Sequence, residues 1–188
     1  LLAAARATCG QGTGIACILG TGCNSGYFQE GQLLEKIPPL GYVLGDEGSG
    51  TYLGKLLLKH YLRNRLPSDL QAALQAAYPF STQEILAKIY REPLPNRFLA
   101  SFAPFLSRFP NHPIVQRIVN EAFEVFFDNH IQYYEQCRKV EIHFVGSIAF
   151  YFQPALREVA AQYGFRVGKV LESPIEGLVA YHNNNEQK

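Results

Sequence analysis

The sequence predicts an α/β domain, a mixed sheet covered by helices with a long helical block set into its middle. Three observations carry that reading. An apolar strand and a hairpin follow an opening helix, residues 51 to 137 change to helical periodicity, and strands then alternate with helices to the end. With 188 residues, 47% of them hydrophobic, the chain is sized for one domain or a domain and a half with an ample core.

The elements follow in order. "LLAAARAT" is built from strong helix formers, and Gly10 stands where a C-terminal cap belongs. Ile15 to Leu19 is a short apolar run bounded by glycines, which predicts a buried strand. "GYFQEGQLLEKI" predicts a hairpin turning at Glu30-Gly31. "IPPLGYVLGDEGSG" is punctuated by prolines and glycines and reads as a loop.

From Thr51 the spacing places Leu53, Leu56, Leu57, His60 and Tyr61 on one helix face. Ser68-x-x-Gln71 and Ser81-x-x-Glu84 are capping-box patterns that start two more helices. Residues 111 to 137 predict one long helix that turns Ile114, Ile118, Val119, Ala122, Val125 and Phe126 inward. Phe98, Phe102 and Phe105, at i, i+4 and i+7, are assigned to the core rather than to a docking face.

"VEIHFVG" alternates like a strand ending at Gly146. A helix marked by Pro154 and closed by Gly164 follows, then the strand "FRVGKVL". Ser173, Pro174 and Glu176 supply the cap, first-turn proline and capping acid of a last helix to about His182. "NNNEQK" is a polar tail expected to fray.

Composition narrows the function classes. A net charge of +1 with no basic patch gives no support for nucleic acid or a membrane surface as partner. No apolar run reaches transmembrane length and no leader pattern opens the chain. Cys9, Cys17, Cys23 and Cys137 lack CxxC spacing and the five histidines form no HxxxH pair, so no metal site is predicted. The cysteines read as reduced thiols of a cytoplasmic protein. The absence of methionine, with a start that resembles mid-helix, predicts that a natural N-terminal part precedes Leu1.

Candidate chemistry gathers in three segments. In "ILGTGCNS", Gly20 and Gly22 let backbone amides approach a ligand around Thr21, an arrangement suited to phosphate. It lacks the Walker pattern, and a hairpin rather than a helix follows; a tight strand-to-strand turn accounts for the same residues. "LGYVLGDEGSG" sets Asp46 and Glu47 among glycines just before a helix. Asp46 is either the cap of that helix or a carboxylate aimed into a cleft, where it would bind sugar hydroxyls. "FVGSIA" ends a strand at Gly146-Ser147, at the sheet edge where α/β proteins bind ligands.

Together "GIACILGTGCNS", "GYVLGDEGSGTYLGK" and "HFVGSIA" resemble the C-terminal half of the N-acetylglucosamine kinase and BadF/BadG-type ATPase family, within the sugar kinase, actin and heat-shock ATPase superfamily. The resemblance spans essentially the whole chain. It implies the C-terminal lobe of an actin-like, ribonuclease H-like fold with a helical insertion. The activity implied is ATP- and Mg2+-dependent phosphoryl transfer to a sugar, N-acetylglucosamine at its 6-hydroxyl. By the same resemblance Gly20, Thr21 and Gly22 match a phosphate loop, and Gly146 and Ser147 an adenosine-side turn. Asn24, Gly41 and Asp46 match sugar contacts. Pro39-Leu40-Gly41 stands where the family has Gly-Trp-Gly, and Cys23 where it has serine. The catalytic aspartate is expected just before Leu1, in an N-terminal lobe outside this chain, so no catalytic residue is assigned within it. The isolated chain is expected to be inactive, and a homodimer is compatible with the family. Two other readings stay open: an ATPase that activates a reductase or dehydratase through an iron–sulfur cluster, and a sugar or nucleotide sensor without turnover.

Overall fold

The computed structural model describes residues 1–185. Its centre is a five-stranded sheet in the order β3-β2-β1-β4-β5. After α1 (Leu2–Cys9), β1 (Thr13–Leu19) pairs antiparallel with β2 (Cys23–Gln29), which pairs antiparallel with β3 (Gln32–Ile37). Positive φ at Glu30 and Gly31 makes their two-residue turn, as the hairpin pattern predicts. On its other side β1 pairs parallel with β4 (Glu141–Val145), and β4 with β5 (Arg166–Leu171). The sheet is therefore mixed, antiparallel where hairpins suffice and parallel where long crossovers return the chain.

Between β3 and β4 every regular element among the described residues is helical: α2 (Gly41–Leu44), α3 (Gly50–Leu62), α4 (Ser68–Ala77), α5 (Thr82–Tyr90), α6 (Pro95–Ala100), α7 (Ala103–Ser107), α8 (Pro113–Asn129) and a 3-10 turn, Ile131–Tyr133. After β4 come α9 (Ser147–Tyr151), α10 (Gln153–Gln162) and, beyond β5, α11 (Ile175–Asn185). Alternation in the strands sorts the two faces. Ile15, Cys17, Leu19, Ile142 and Phe144 join the main core beneath the helical block, whereas Ala16 and Phe28 pack with Ala5 of α1. Phe102 and Phe105 are fully buried and Phe98 packs against them, so the phenylalanine stripe is core. Among the described residues no helix is long and apolar enough to cross a membrane.

Several local expectations are corrected. The proline- and glycine-rich loop contains the short helix α2. On α3, Leu58 is buried and His60 only half-buried, because the buried stripe is wider than the spacing suggests. Ser68 does not cap: Pro67 holds the N-cap position without a side-chain bond, while Ser81 and Glu84 do form the capping box. The long helix ends at Asn129 rather than 137, and Val115, Phe123 and Phe127 face inward in place of Val125. Apolar spacing continues into Ile131 and Tyr134, which stay buried although the helix has stopped. The last helix continues to Asn185, so the start of the polar tail is helical; residues 186–188 lie outside the described residues.

His143 lies on the α1 face of β4, 5% exposed, where its Nδ1 accepts the Lys169 N–H at 3.0 Å. Burial pulls its pKa down; Glu141 opposes this and Lys169 reinforces it. Protonation therefore costs more in the folded chain than in the unfolded one. That stability is complete above the unfolded value of about 6.5 and is lost as pH falls below it. Chemical denaturation at about pH 7.5 and about pH 5.5 should show a larger loss for the native chain than for His143→Asn. Equal losses would mean that His143 does not set the slope.

Candidate functional site

The tight turn at 20–22 joins two strands already in register, with Leu19 facing Cys23. Its hydrogen bonds divide by direction. The Gly20 N–H donates to the Gly22 carbonyl at 3.0 Å, so one of the three amides is used within the turn. The Gly20 carbonyl accepts from the Gly50 N–H at 2.8 Å, and the Thr21 carbonyl from the Thr51 N–H at 3.1 Å and the Thr51 hydroxyl at 2.6 Å. The turn thus rests on the first residues of α3, a helix start that local sequence did not associate with it. The Thr21 and Gly22 N–H groups have no acceptor among the described residues. Two donors, rather than three, remain for a ligand.

Asp46 closes the other side. It is 8% exposed, adopts positive φ, and its Oδ1 accepts the Cys23 N–H at 3.1 Å. A Cβ on Gly22 would lie 2.8 Å from that oxygen, so only glycine fits there without displacing the carboxylate. Asp46 does not cap α3; Ser49 does, accepting from the Tyr52 N–H at 3.3 Å. The Pro39 carbonyl accepts from both the Gly41 and Asp46 amides, at 2.8 and 3.3 Å, which brings the Gly41 segment to the acid loop. Lys55 is nearby, its Nζ donating to the Tyr42 carbonyl at 2.8 Å. Desolvation lowers its pKa while Asp46 and Glu47 counter that.

Gly146 presses on the same turn from the sheet. A Cβ there would lie 2.3 Å from the Leu19 carbonyl, and its φ of +124° suits glycine alone. Ser147 then opens α9. Gly20, Thr21 and Ser147 line one cleft of about 370 Å³, walled by Ala103, Pro104, Ile148 and Tyr151. Asn24 follows on β2 and is half-buried. Its side chain points away from the helical block, because its neighbours Cys23 and Ser25 point toward it. Of the predicted site residues, Gly20, Thr21 and Ser147 meet at the cleft, and Gly146 packs behind it against Leu19. Gly22, Asp46 and Gly41 gather across the turn, and Asn24 sits beside them on the opposite sheet face.

Sequence reading missed a buried polar network behind Asp46. The Glu47 carboxylate accepts from Asn129 Nδ2 at 3.0 Å and lies 3.2 Å from His130 Nε2. His130 also approaches Cys23 Sγ and Ser25 Oγ, each at 3.5 Å, and Phe126 stacks on its ring. Ser25 Oγ meets the Tyr134 hydroxyl at 2.9 Å, which accepts the Ile37 N–H at 3.1 Å. Burial drives the Cys23 thiol up, with Asp46 and then Glu47 adding to it, and pushes Tyr134 up to about 12. Glu47 was visible beside Asp46. Its partners are 82 and 83 residues away, and no local spacing signals them.

The strand-linking turn of this α/β unit thus lies between an apolar cleft and an acid-bearing loop. Comparison with solved structures names its relatives. Over 98% of its length the chain matches the "Putative N-acetylglucosamine Kinase" of Porphyromonas gingivalis, with 42% identity and a TM-score of 0.95. A protein of the same description from Chromobacterium violaceum matches 96% of the chain at 19% identity and a TM-score of 0.71, a likeness of fold. The chain spans 65% of the first protein and 63% of the second. Neither a family model nor a curated protein matches it. The resemblance carried by the three motifs thus extends over the described structure.

Replacing Gly22 by alanine should force the Asp46 carboxylate off the Cys23 amide. The expected loss is about 1–3 kcal/mol, read from a denaturant midpoint. Asp46→Asn, which keeps an acceptor oxygen, should cost less. The reverse order would show that the Asp46 charge, and not the close approach, holds the turn.

Proposed function

We propose that the chain is the C-terminal lobe of a two-lobe, actin-like sugar kinase that transfers phosphate from ATP to N-acetylglucosamine at the 6-hydroxyl. The observation that carries this is the shared turn: its Thr21 and Gly22 amides have no acceptor among the described residues, the Ser147 cleft lies on one side of it and a clamped carboxylate on the other. In this reading residues 51–137 are a helical insertion. ATP supplies the γ-phosphoryl group and, with Mg2+, the counter-charge for its transfer. The Thr21 and Gly22 amides suit its outer phosphates, and Ser147 with the apolar wall suits the nucleoside. Asp46 accepts sugar hydroxyls, and Asn24 and the Gly41 backbone complete that side.

The proton acceptor for the attacking hydroxyl is assigned to an aspartate just upstream of Leu1. The Leu1 side chain borders Gly26 on the α1 face of β2, the face that Asn24 shares two residues earlier. A base at that helix start would face the sugar side. The name given to the 42%-identical relative supports the sugar class. Four free thiols suit a cytoplasmic setting.

Calorimetry and a sugar-phosphorylation assay test the reading on a polypeptide extended upstream of Leu1. Asp46→Asn should weaken N-acetylglucosamine binding by about 10- to 100-fold and leave nucleotide affinity nearly unchanged. Gly146→Ala should do the opposite, because its Cβ strikes the Leu19 carbonyl behind the nucleotide cleft. The 188-residue chain should show no turnover. Brisk phosphorylation by that chain alone would refute the upstream base, and indifference of sugar binding to Asp46 would refute the sugar site.

A further inference from the structure

We propose that Cys23, Glu47 and His130 form a three-ligand site for one thiophilic divalent cation, Zn2+ being the best fit. Three segments remote in sequence place one sulfur, one imidazole nitrogen and one carboxylate oxygen within 4.8 Å of one another, all in buried residues. His130 Nε2 lies 3.5 Å from Cys23 Sγ and 3.2 Å from Glu47 Oε2. Zinc bonds of about 2.3 Å to sulfur and about 2.0 Å to nitrogen and oxygen, at tetrahedral angles, give ligand separations of about 3.6 Å and about 3.3 Å. Both pairs that include His130 already stand at those separations, and the sulfur and the carboxylate oxygen lie within 4.8 Å of each other.

The surroundings match what a metal-ligating histidine requires. With Nε2 on the cation, Nδ1–H points to Ser25 Oγ, which is fixed in turn by the Tyr134 hydroxyl at 2.9 Å. The Asn129 amide holds the other oxygen of Glu47 at 3.0 Å, leaving Oε2 for the cation. Hydrogen bonding alone accounts for the cluster less completely. Nε2 carries at most one proton, yet it faces both a carboxylate oxygen and a sulfur. A thiolate and a carboxylate together neutralise a divalent ion, and the fourth tetrahedral position is left to water. The mixed sulfur, nitrogen and oxygen donor set selects against Mg2+, which takes oxygen ligands in octahedral geometry. The site is therefore separate from any magnesium that accompanies a nucleotide.

Cobalt supplies the test, since Co2+ occupies zinc sites and reports thiolate ligation by colour. Titrating the chelator-treated 188-residue chain with Co2+ should saturate at one equivalent, with a sulfur-to-cobalt charge-transfer band that Zn2+ bleaches. Cys23→Ser should abolish the band. Glu47→Gln and His130→Gln should each weaken Co2+ binding by about 10-fold or more. Circular dichroism checks that each variant is folded. No band in the unaltered chain overturns the proposal, and that result needs no variant. A band that survives Cys23→Ser in a folded protein also overturns it, by assigning the metal to Cys9, Cys17 or Cys137.

Discussion

The 20–22 turn hands its carbonyls and the following amide to the acid loop and α3, and that exchange organises everything around it. Its carbonyls point inward and are taken up by the first residues of α3. The Cys23 amide is taken up by Asp46. The demand for internal hydrogen bonds is met almost wholly by these groups, which leaves the Thr21 and Gly22 amides directed elsewhere. Under the proposed function, donors held this way would need no reordering to meet an anion, which is how a rigid scaffold turns a loop into a binding surface.

The sheet supplies the second half of that constraint. β4 runs parallel to β1, so its carboxyl end arrives beside the end of β1, where Gly146 meets the Leu19 carbonyl. Any side chain at 146 would wedge the strands apart and move Ser147 from the cleft. The phenylalanine-rich core beneath, from Phe126 and Phe127 to Phe144, fixes the height of the sheet against the helices. Packing at organic-crystal density transmits small displacements, so the cleft width depends on residues well outside it.

What sequence reveals here follows the range of the interaction. Hairpins, capping boxes and glycine turns are set by neighbours in the chain, and Glu30-Gly31, Ser81-Glu84 and the segments at 20–22 and 45–50 were readable for that reason. Misreadings occurred where local chemistry was ambiguous. Ser68 followed a proline that took its capping place, and buried Ile131 and Tyr134 prolonged an apolar rhythm after α8 had ended. The network joining residues 23, 25, 47, 130 and 134 left no trace in spacing, because it exists only once β2, the acid loop and the end of α8 are assembled.

Adjacent carboxylates with opposite destinations explain why that assembly matters. Asp46, turned by its positive φ, faces the turn; Glu47, the next residue, faces His130 and Asn129 in the interior. A buried carboxylate is tolerated only with partners, so Glu47 anchors the loop from behind while Asp46 is held in front. Neither residue alone would fix the loop, since each constrains one side of the same peptide plane. The acid loop is thus rigid although it lacks regular structure between α2 and α3. It is held from both layers, from the helical block through the end of α8 and from the sheet through the Cys23 amide. The two halves of the candidate site therefore rest on different layers of the fold and are joined at Cys23, whose amide bonds to one carboxylate and whose sulfur lies beside the histidine that holds the other.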